Sequence, residues 1–106
     1  GGGQWYRAKS FATFGPIGPY ITAAALAGNP NNLKISTELN GIKVQDSNTN
    51  QMIQSVEKII AYASKDTWLM EGTIILTGTP AGVGMSRKPP VFLRNGDVVS
   101  VTIEKL

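Results

Sequence analysis

The sequence predicts a mixed α/β fold that is mostly β, in which a rolled or barrel-like antiparallel sheet covers itself. Three observations predict it: four or five short segments have strand-like patterns, two Asn-Gly pairs precede or join such segments, and only one long segment has helical spacing. Asn-Gly between alternating runs is the strongest short-range hairpin signal. Because one helix cannot cover a sheet of this size, the strands must cover one another. The 106 residues suffice for one small domain with a modest core.

The clearest predicted hairpin turns at positions 40–41, the first Asn-Gly pair. Apolar and polar residues alternate before it over 33–39, and the run "IKVQ" follows it. The second Asn-Gly pair, at 95–96, precedes alternating apolar residues at 99–103 and predicts the closing strand. A further strand is predicted at 74–76, where a continuous apolar run indicates that both faces are covered.

One segment has the spacing of an amphipathic helix. Its apolar residues recur at helical spacing between Met52 and Ala63, behind residues 47–50, whose side chains are of the types that cap helices. A shorter helical turn is predicted over 23–27, ended by Gly28. The opening segment is rich in glycine, proline and aromatic residues, which predicts a loop with short extended pieces.

Composition limits the classes of function that the chain can serve. Ten Lys and Arg against seven Asp and Glu give a net charge of +3, but the basic residues are scattered, so nucleic-acid binding is not expected. No run approaches the length of a membrane span, and no cysteine offers a disulfide or a thiolate ligand. We therefore expect a soluble intracellular protein without a membrane partner. Histidine is also absent, so catalysis would use Lys, Asp, Glu, Tyr, hydroxyls, or groups from outside this chain.

The segment "ILTGTPAGVG" at 75–84 is the first candidate site. It is not a phosphate-binding loop, because no Lys-Ser or Lys-Thr follows the glycines. It is not a dinucleotide fingerprint either, because the third glycine and the following helix are missing. One interpretation is that backbone amides and the Thr77 and Thr79 hydroxyls bind an anion such as a carboxylate. The other is a glycine-rich turn that leaves a strand, and the residues alone leave both open.

Lys9, within "RAKSF", is the second candidate. Beside Phe11 and Trp5, its ammonium group would be partly desolvated and would serve as a proton donor or base. The alternative is an ordinary solvated lysine. The acidic residues offer less, because they include no Glu-x-Glu pair or other ligand spacing. The sequence therefore predicts no set of metal-ligating carboxylates within this chain.

Four motifs in a fixed order give the chain a recognisable pattern. They are "RAKSFATFGPIGPYI", "NGIKVQDSNTNQMIQSVEKIIAYAS", "GTIILTGTPAGVG" and "PPVFLRNGDVVSVTIEKL". From about Gln4 to Leu106, this order resembles the C-terminal half of the catalytic domain of the fumarylacetoacetate hydrolase family. The resemblance implies a β-roll of which residues 1–106 form only the C-terminal portion. It also implies an N-terminal portion, absent from this chain, that carries the metal ligands.

The resemblance implies an activity as well. Members of this family hydrolyse, decarboxylate or hydrate acylpyruvates and β-keto acids through a metal-bound enolate, with magnesium, or else calcium or manganese, as the cofactor. The expected partners are a small oxo-acid substrate, the N-terminal part of the same protein and a second copy in a homodimer. The expected compartment is the cytoplasm, with mitochondria as the alternative. The rival hypothesis is a non-catalytic fragment or degenerate relative that keeps the fold and the dimer surface.

Three residues match functional positions of the family, and a fourth lies beside one of them. Lys9 matches the lysine that reaches the metal site and the substrate oxygen, and it is the expected catalytic residue. Thr79, with Gly78 beside it, matches the threonine that holds a substrate carboxylate. Thr13 matches a threonine that supports the metal region, whereas the family's Glu-x-Glu pair and further Asp lie before the segment that this chain resembles.

Overall fold

A computed structural model describes residues 3–106, so Gly1 and Gly2 of the predicted domain lie outside the described residues. The described elements, in chain order, are helix α1 (Trp5–Ala8), helix α2 (Ala24–Ala27), strand β1 (Lys34–Leu39), strand β2 (Ile42–Asn48), a 3-10 turn (Thr49–Gln51), helix α3 (Val56–Ala63), a second 3-10 turn (Gly84–Ser86) and strand β3 (Val99–Ile103). Within residues 3–106, no helix has the length and apolar character needed to cross a membrane.

The three described strands form one antiparallel sheet in the order β2-β1-β3. The predicted hairpin is confirmed: β1 and β2 are joined at Asn40 and Gly41, whose φ angles of 52° and 77° are the positive values that a two-residue hairpin turn requires. The predicted closing strand is confirmed as well, because β3 pairs with β1 along its whole length. The mixed α/β fold expected from the sequence is thus observed, with a small sheet at its centre.

A β-bulge interrupts the hairpin at Val44. Thr37 on β1 pairs with Gln45 on β2. The next pair is Glu38 with Lys43, so Val44 is left without a partner on β1. A bulge bends its strand and leaves the extra residue outside the regular ladder. The Val44 carbonyl is therefore available to residues beyond the sheet.

The predicted amphipathic helix is present, but it begins at Val56 rather than at Met52. Ser55 is its N-cap, because the Ser55 Oγ accepts a hydrogen bond from a first-turn amide at 3.3 Å. Asn31 adds a second cap, since its Oδ1 accepts from the Val56 amide at 2.8 Å. Residues 47–50, which were expected as caps, instead end β2 and begin the 3-10 turn. The start of the helix is therefore set by Ser55, directly before it, and by Asn31, which is distant in sequence.

The predicted strand at 74–76 does not join the sheet. Its side chains are exposed rather than covered, by 52% at Ile74, 36% at Ile75 and 83% at Leu76. No hydrogen bond pairs its backbone with another segment of the described chain. The expectation of two covered faces is therefore wrong for this chain, because an apolar run forms a strand only where neighbouring strands satisfy its amides and carbonyls. The opening segment also differs from expectation, since it contains the short helix α1.

The described chain exposes an unusually large apolar surface. Leu33, with 6% exposed, is its one buried hydrophobic side chain, whereas Trp5, Phe92 and many others are more than half exposed. The accessible area is 9303 Å², compared with about 5,700 Å² for a folded monomer of this mass. The radius of gyration of 15.5 Å likewise exceeds the roughly 13 Å of a globular domain of this length. The chain thus exposes surface that folded proteins normally cover.

Candidate functional site

One side chain, Gln45, holds the candidate loop 77–81 against strand β2. The Gln45 Nε2 lies 3.0 Å from the Thr79 Oγ1 and 2.9 Å from the Pro80 carbonyl oxygen. A longer contact of 3.4 Å joins the same nitrogen to the Ala81 carbonyl oxygen. The loop is therefore fastened to the sheet at the residue that the sequence singles out, Thr79.

The surroundings of Gln45 determine the direction of its amide. The Pro80 carbonyl can only accept a hydrogen bond, so the group facing it must be the Nε2 donor. At the other end, the Thr37 hydroxyl donates to the Gln45 Oε1 at 2.9 Å. Because Nε2 donates and does not accept, the Thr79 hydroxyl receives this bond through its oxygen. Its own hydrogen reaches no acceptor among residues 3–106 and is available to a ligand.

Arg87 and two glycines bring the following part of the loop close to the bulge. The Arg87 Nη2 donates to the Val44 carbonyl at 2.7 Å, and its Nε donates to the Gly82 carbonyl at 3.2 Å. Gly82 has a φ of 106°, and a Cβ there would overlap the same Val44 carbonyl. A Cβ at Gly84 would likewise overlap the Val91 carbonyl. Close backbone packing therefore requires glycine at both positions.

Gly78 has a different role from these crowded glycines. Its φ is 98°, and no atom lies within 4 Å of the place that a Cβ would take. The amides of Gly78 and Thr79 donate to no acceptor in the part of the chain that the structure describes. These two predicted substrate-binding residues thus lie side by side, with two amides and one hydroxyl hydrogen unused. Successive backbone N–H groups can bind an anion where a turn directs them into one concavity.

Thr79 borders two open clefts. A cleft of about 710 Å³ lies between the loop 77–81 and the segment 47–54. A smaller cleft of about 310 Å³ is lined by Thr79, Gly82 and Arg87 together with side chains of the sheet. No Asp, Glu, Lys or Arg among the described residues lines the larger cleft. An anion bound there would be held by hydroxyls, side-chain amides and backbone N–H groups rather than by an ion pair.

Lys9 and Thr13 lie in the opening segment. Lys9 is exposed, and its Nζ lies 5.8 Å from the centre of the Trp5 ring, within the range of a cation–π contact. Thr13 has a φ of 70°, a left-handed conformation that is uncommon for a β-branched residue. Neither residue lines a cleft beside Thr79, and all hydrogen bonds described for residues 3–28 stay within that segment. The described contacts therefore do not bring Lys9 or Thr13 to Thr79.

The described residues do not form a metal site. No group of three acidic, cysteine or histidine side chains converges anywhere in residues 3–106. Glu57 has a lowered pKa because of hydrogen bonds from its own backbone amide and from capping side chains. Asp97 has a lowered pKa because of hydrogen bonds from the Asn40 side chain and the Arg94 amide. Both shifts come from hydrogen bonds, at a helix cap for Glu57 and within and between two turns for Asp97, rather than from a set of metal ligands.

Two residues of the site, Gln45 and Arg87, carry no signature of their own in the sequence. Gln45 is one polar residue of an alternating strand, and Arg87 is one of ten dispersed basic residues. The bulge at Val44, whose carbonyl Arg87 contacts and which Gln45 follows, is not marked by a glycine or a proline in the sequence. The one available signal is that Gln45 ends the motif "NGIKVQ", in which a glutamine follows the hairpin turn.

Comparison with known proteins finds relatives of nearly the whole chain. A family model described as fumarylacetoacetate (FAA) hydrolase C-terminal matches residues 2–106. The chain is 52% identical over 105 residues to the mitochondrial oxaloacetate tautomerase Fahd2a of Rattus norvegicus, which covers 99% of this chain and 34% of that protein. A solved structure of a fumarylacetoacetate hydrolase from Exiguobacterium antarcticum matches with a TM-score of 0.87 and 42% identity, over 92% of this chain and 35% of that chain.

A second solved structure, a maleylpyruvate hydrolase from Sphingobium sp. SYK-6, matches with a TM-score of 0.78 and 36% identity, over 90% of this chain and 33% of that chain. The chain therefore spans about a third of the length of the relatives it matches. These matches confirm the resemblance stated from the motifs and the fold class that it implies.

Proposed function

Since the chain belongs to the fumarylacetoacetate hydrolase family, we propose that it forms the C-terminal portion of an enzyme that acts on a small oxo-acid. The observation that carries this proposal is the state of Thr79. The Thr79 oxygen is occupied by the Gln45 amide at 3.0 Å, whereas its hydrogen and the neighbouring Gly78 amide are unused in the described chain. Donors grouped in this way, in a cleft without charged side chains, suit a carboxylate.

In this proposal, Thr79 and Gly78 hold a carboxylate of the substrate and orient the acid. Orientation accelerates a reaction because the reacting atoms no longer have to find one another. Lys9 supplies positive charge close to the oxo group, where negative charge develops when a neighbouring C–H or C–C bond breaks. Lys9 is exposed in the described chain, so the proposal requires the rest of the domain to bring it towards Thr79.

The names of the relatives favour an enolisable substrate. They describe an oxaloacetate tautomerase, a fumarylacetoacetate hydrolase and a maleylpyruvate hydrolase. All three names denote acids with a carbonyl group next to a carbon that can lose a proton or a carbon substituent. We therefore propose an acylpyruvate or β-keto acid as the substrate, and C–C bond hydrolysis, decarboxylation or keto–enol exchange as the reaction.

A divalent cation belongs to the proposal, although the described residues do not fit a site for it. We propose that magnesium, or else calcium or manganese, is held by carboxylates of an N-terminal portion of the same domain, outside residues 1–106. Within residues 1–106, Thr13 would support the metal region. Its φ of 70° is consistent with such a role, because backbone conformations of this kind are costly and concentrate at functional sites.

The exposed apolar surface supports the proposal that other parts of the complete protein cover this chain. An area of 9303 Å² leaves room for contact both with an N-terminal portion and with a second copy in a homodimer. The rat relative is named as a mitochondrial protein, and we propose mitochondria as the compartment of this protein too.

A non-catalytic relative is the second candidate function. The absence of a converging carboxylate group among residues 3–106 is compatible with this candidate and with the enzyme alike. Such a protein would keep the fold and the dimer surface while lacking metal ligands. The two candidates differ in what the complete protein does with an oxo-acid.

The test uses the complete protein that contains this chain. It is assayed with oxaloacetate, an acylpyruvate and a β-keto acid, in magnesium and after chelation, with the enol and diketone absorbance as the readout. We expect turnover of at least one acid, lost on chelation and restored by magnesium. If a folded dimer turns over none of them with magnesium, calcium or manganese, the non-catalytic candidate replaces the enzyme.

A further inference from the structure

We infer that Gln45 is a positioning residue for substrate binding, because its amide fixes the Thr79 hydroxyl as a donor to the carboxylate of the acid. The inference rests on the proposed function, in which Thr79 binds that carboxylate. It adds a residue from strand β2 that does not itself need to touch the substrate. Three features of the site lead to it: the chemistry of the Thr79 hydroxyl, the support of the Gln45 amide and the shape of strand β2.

The first feature is the single hydrogen of the Thr79 hydroxyl. A threonine hydroxyl rotates freely in solution and must be ordered when it binds a ligand. Here the Gln45 Nε2 approaches the Thr79 oxygen to 3.0 Å, and this nitrogen can only donate. The Thr79 hydrogen is therefore excluded from the direction of Gln45 and left for a ligand. Ordering a binding group before the ligand arrives lowers the entropic cost of binding.

A hydroxyl that already accepts a hydrogen bond is also a better donor. Bonds in a chain polarise one another, and the effect is stronger away from bulk water. The described bonds form such a chain, in which Thr37 donates to Gln45 and Gln45 donates to Thr79. A carboxylate that accepts from Thr79 would be its last member.

The second feature is that Gln45 cannot easily reverse its amide. One Nε2 hydrogen is needed by the Pro80 carbonyl at 2.9 Å, and the Oε1 accepts from the Thr37 hydroxyl at 2.9 Å. A reversed amide would place its oxygen against the Pro80 carbonyl, where neither atom can donate. The Pro80 carbonyl therefore selects the orientation that leaves the Thr79 hydrogen free, and the Thr37 hydroxyl, which can donate or accept, is compatible with that orientation.

The third feature is the bulge beside Gln45. Val44 has no partner on β1, and its carbonyl accepts instead from Arg87 Nη2 at 2.7 Å. Arg87 also donates to the Gly82 carbonyl, so the loop is fixed to β2 at residues 79–81 through Gln45 and just after them through Arg87. Bulges are frequent beside active sites, where they redirect a side chain. Gln45 directly follows the bulged residue, Val44.

A purely structural role is the alternative, in which Gln45 only fastens the loop. The two roles are separated by a double-mutant cycle in the complete protein, with Gln45→Met, Thr79→Val and the double variant. Values of kcat and KM are measured for the acid that the wild type turns over, together with the melting temperature. If Gln45 acts through Thr79, Gln45→Met raises KM by about 2- to 10-fold, as expected for loss of one neutral hydrogen bond. The same change then has no further effect once Thr79 is valine.

A second variant keeps the experiment informative if Gln45→Met disrupts the structure of the loop. Thr37→Val keeps a β-branched residue of similar shape and removes only the donor to the Gln45 Oε1. It should raise KM in the same direction but less, and this increase should also vanish in the Thr79→Val background. The melting temperature of Thr37→Val should stay close to that of the wild type.

The outcomes distinguish this inference from the proposed function. If Thr79→Val leaves KM unchanged, the carboxylate contact fails and the inference fails with it. If Thr79→Val raises KM but the effects of Gln45→Met and Thr79→Val multiply, Thr79 keeps its role and Gln45 loses the proposed one. A lower melting temperature with unchanged KM in both Gln45→Met and Thr37→Val would likewise make Gln45 a structural residue only.

Discussion

The Asn40 Nδ2 donates to the Asp97 Oδ1 at 2.9 Å and thereby ties the hairpin turn to the turn before β3. The Asn40 Oδ1 accepts from the Val98 amide at 2.9 Å, and the Asn40 amide donates to the Val98 carbonyl at 2.8 Å. The Asp97 Oδ2 in turn accepts from the Arg94 amide at 2.7 Å. Two Asn-Gly turns that are distant in sequence are thus joined into one hydrogen-bonded unit.

This unit predicts a loss of stability in acid. Hydrogen bonds from Asn40 and from the Arg94 amide hold the pKa of Asp97 below its ordinary value of 3.8. A carboxyl group whose pKa is lower in the folded state stabilises the fold above its unfolded pKa, and this contribution disappears as pH falls through the folded pKa. We expect the melting temperature of the complete protein to fall as pH drops below 3.8, and Asp97→Asn to make the fall shallower.

Thermal melts at a series of pH values test this expectation. Glu71→Gln is the matched control, because it removes one exposed carboxylate whose side chain accepts no hydrogen bond in residues 3–106. If the melting temperature of Asp97→Asn falls with pH below 3.8 as steeply as that of the wild type, the assignment of this effect to Asp97 is wrong.

The connection between Asn40 and Asp97 also illustrates what the sequence can predict. Both Asn-Gly turns were predictable, because each turn is encoded in two adjacent residues and the alternating runs beside them. The bond between the turns was not, because it depends on β3 pairing with β1 across the sheet. The helix followed the same rule: its apolar spacing was local, whereas its cap from Asn31 was not.

The candidate site divides in the same way. Gly78 and Thr79 stand in a motif that the sequence displays openly, whereas Gln45 becomes part of the site only through a bulge and a tertiary contact. The strand expected at 74–76 failed for a related reason, since its apolar run indicates a covered strand but does not say which residues cover it. Patterns therefore predicted what is local, and packing determined the rest.

The exposed surface predicts that residues 1–106 do not fold independently. Only Leu33 is a buried hydrophobic side chain among the described residues, and a chain with so small a core cannot offset its conformational entropy. Expressed alone, the chain should be aggregated or poorly ordered, without a cooperative thermal transition by circular dichroism. The complete protein, treated identically, is the control. A sharp melt of a monomeric 1–106 fragment would overturn this prediction.

Gly82→Ala should destabilise the loop more than a comparable change elsewhere. Gly82 and Gly96 both have positive φ, of 106° and 91°, but only at Gly82 would the new Cβ overlap a backbone atom, the Val44 carbonyl. Alanine at either position would have the strain of a positive φ, so Gly96→Ala is the control that measures this strain without the overlap. In denaturant unfolding of the complete protein, we expect Gly82→Ala to cost at least about 1 kcal/mol more than Gly96→Ala. Equal costs would mean that the loop moves away from β2 freely.

Lys9→Met should reduce turnover without reducing stability. The substitution keeps an unbranched apolar side chain and removes the charge. Lys9 forms no ion pair in the described chain, and its cation–π contact with Trp5, at 5.8 Å from the ring centre, lies at an exposed site where such contacts contribute little to stability. The measurements are kcat for the preferred oxo-acid and the melting temperature of the complete protein. Lys65→Met, at another exposed lysine, controls for the loss of one positive charge. If the two variants have equal kcat, Lys9 is an ordinary solvated lysine.

Thr79→Val is expected to weaken binding of the acid directly. Valine keeps the shape of threonine and removes the hydroxyl that receives the Gln45 bond and, in the proposed function, donates to the substrate carboxylate. Loss of a hydrogen bond to a charged group costs about 1.5–3 kcal/mol. The KM for the acid should therefore rise by about 10- to 100-fold.

A structural role for Thr79 predicts a different pair of results, which the same variant can reveal. If the hydroxyl only anchors the loop to Gln45, the melting temperature should fall while KM stays unchanged. Thr102→Val on strand β3 is the control, because this exposed threonine makes no side-chain hydrogen bond in the described structure and β-branched residues suit strands. A rise in KM confined to Thr79→Val would support the carboxylate contact, and a loss of stability alone would reduce the glycine loop to a turn.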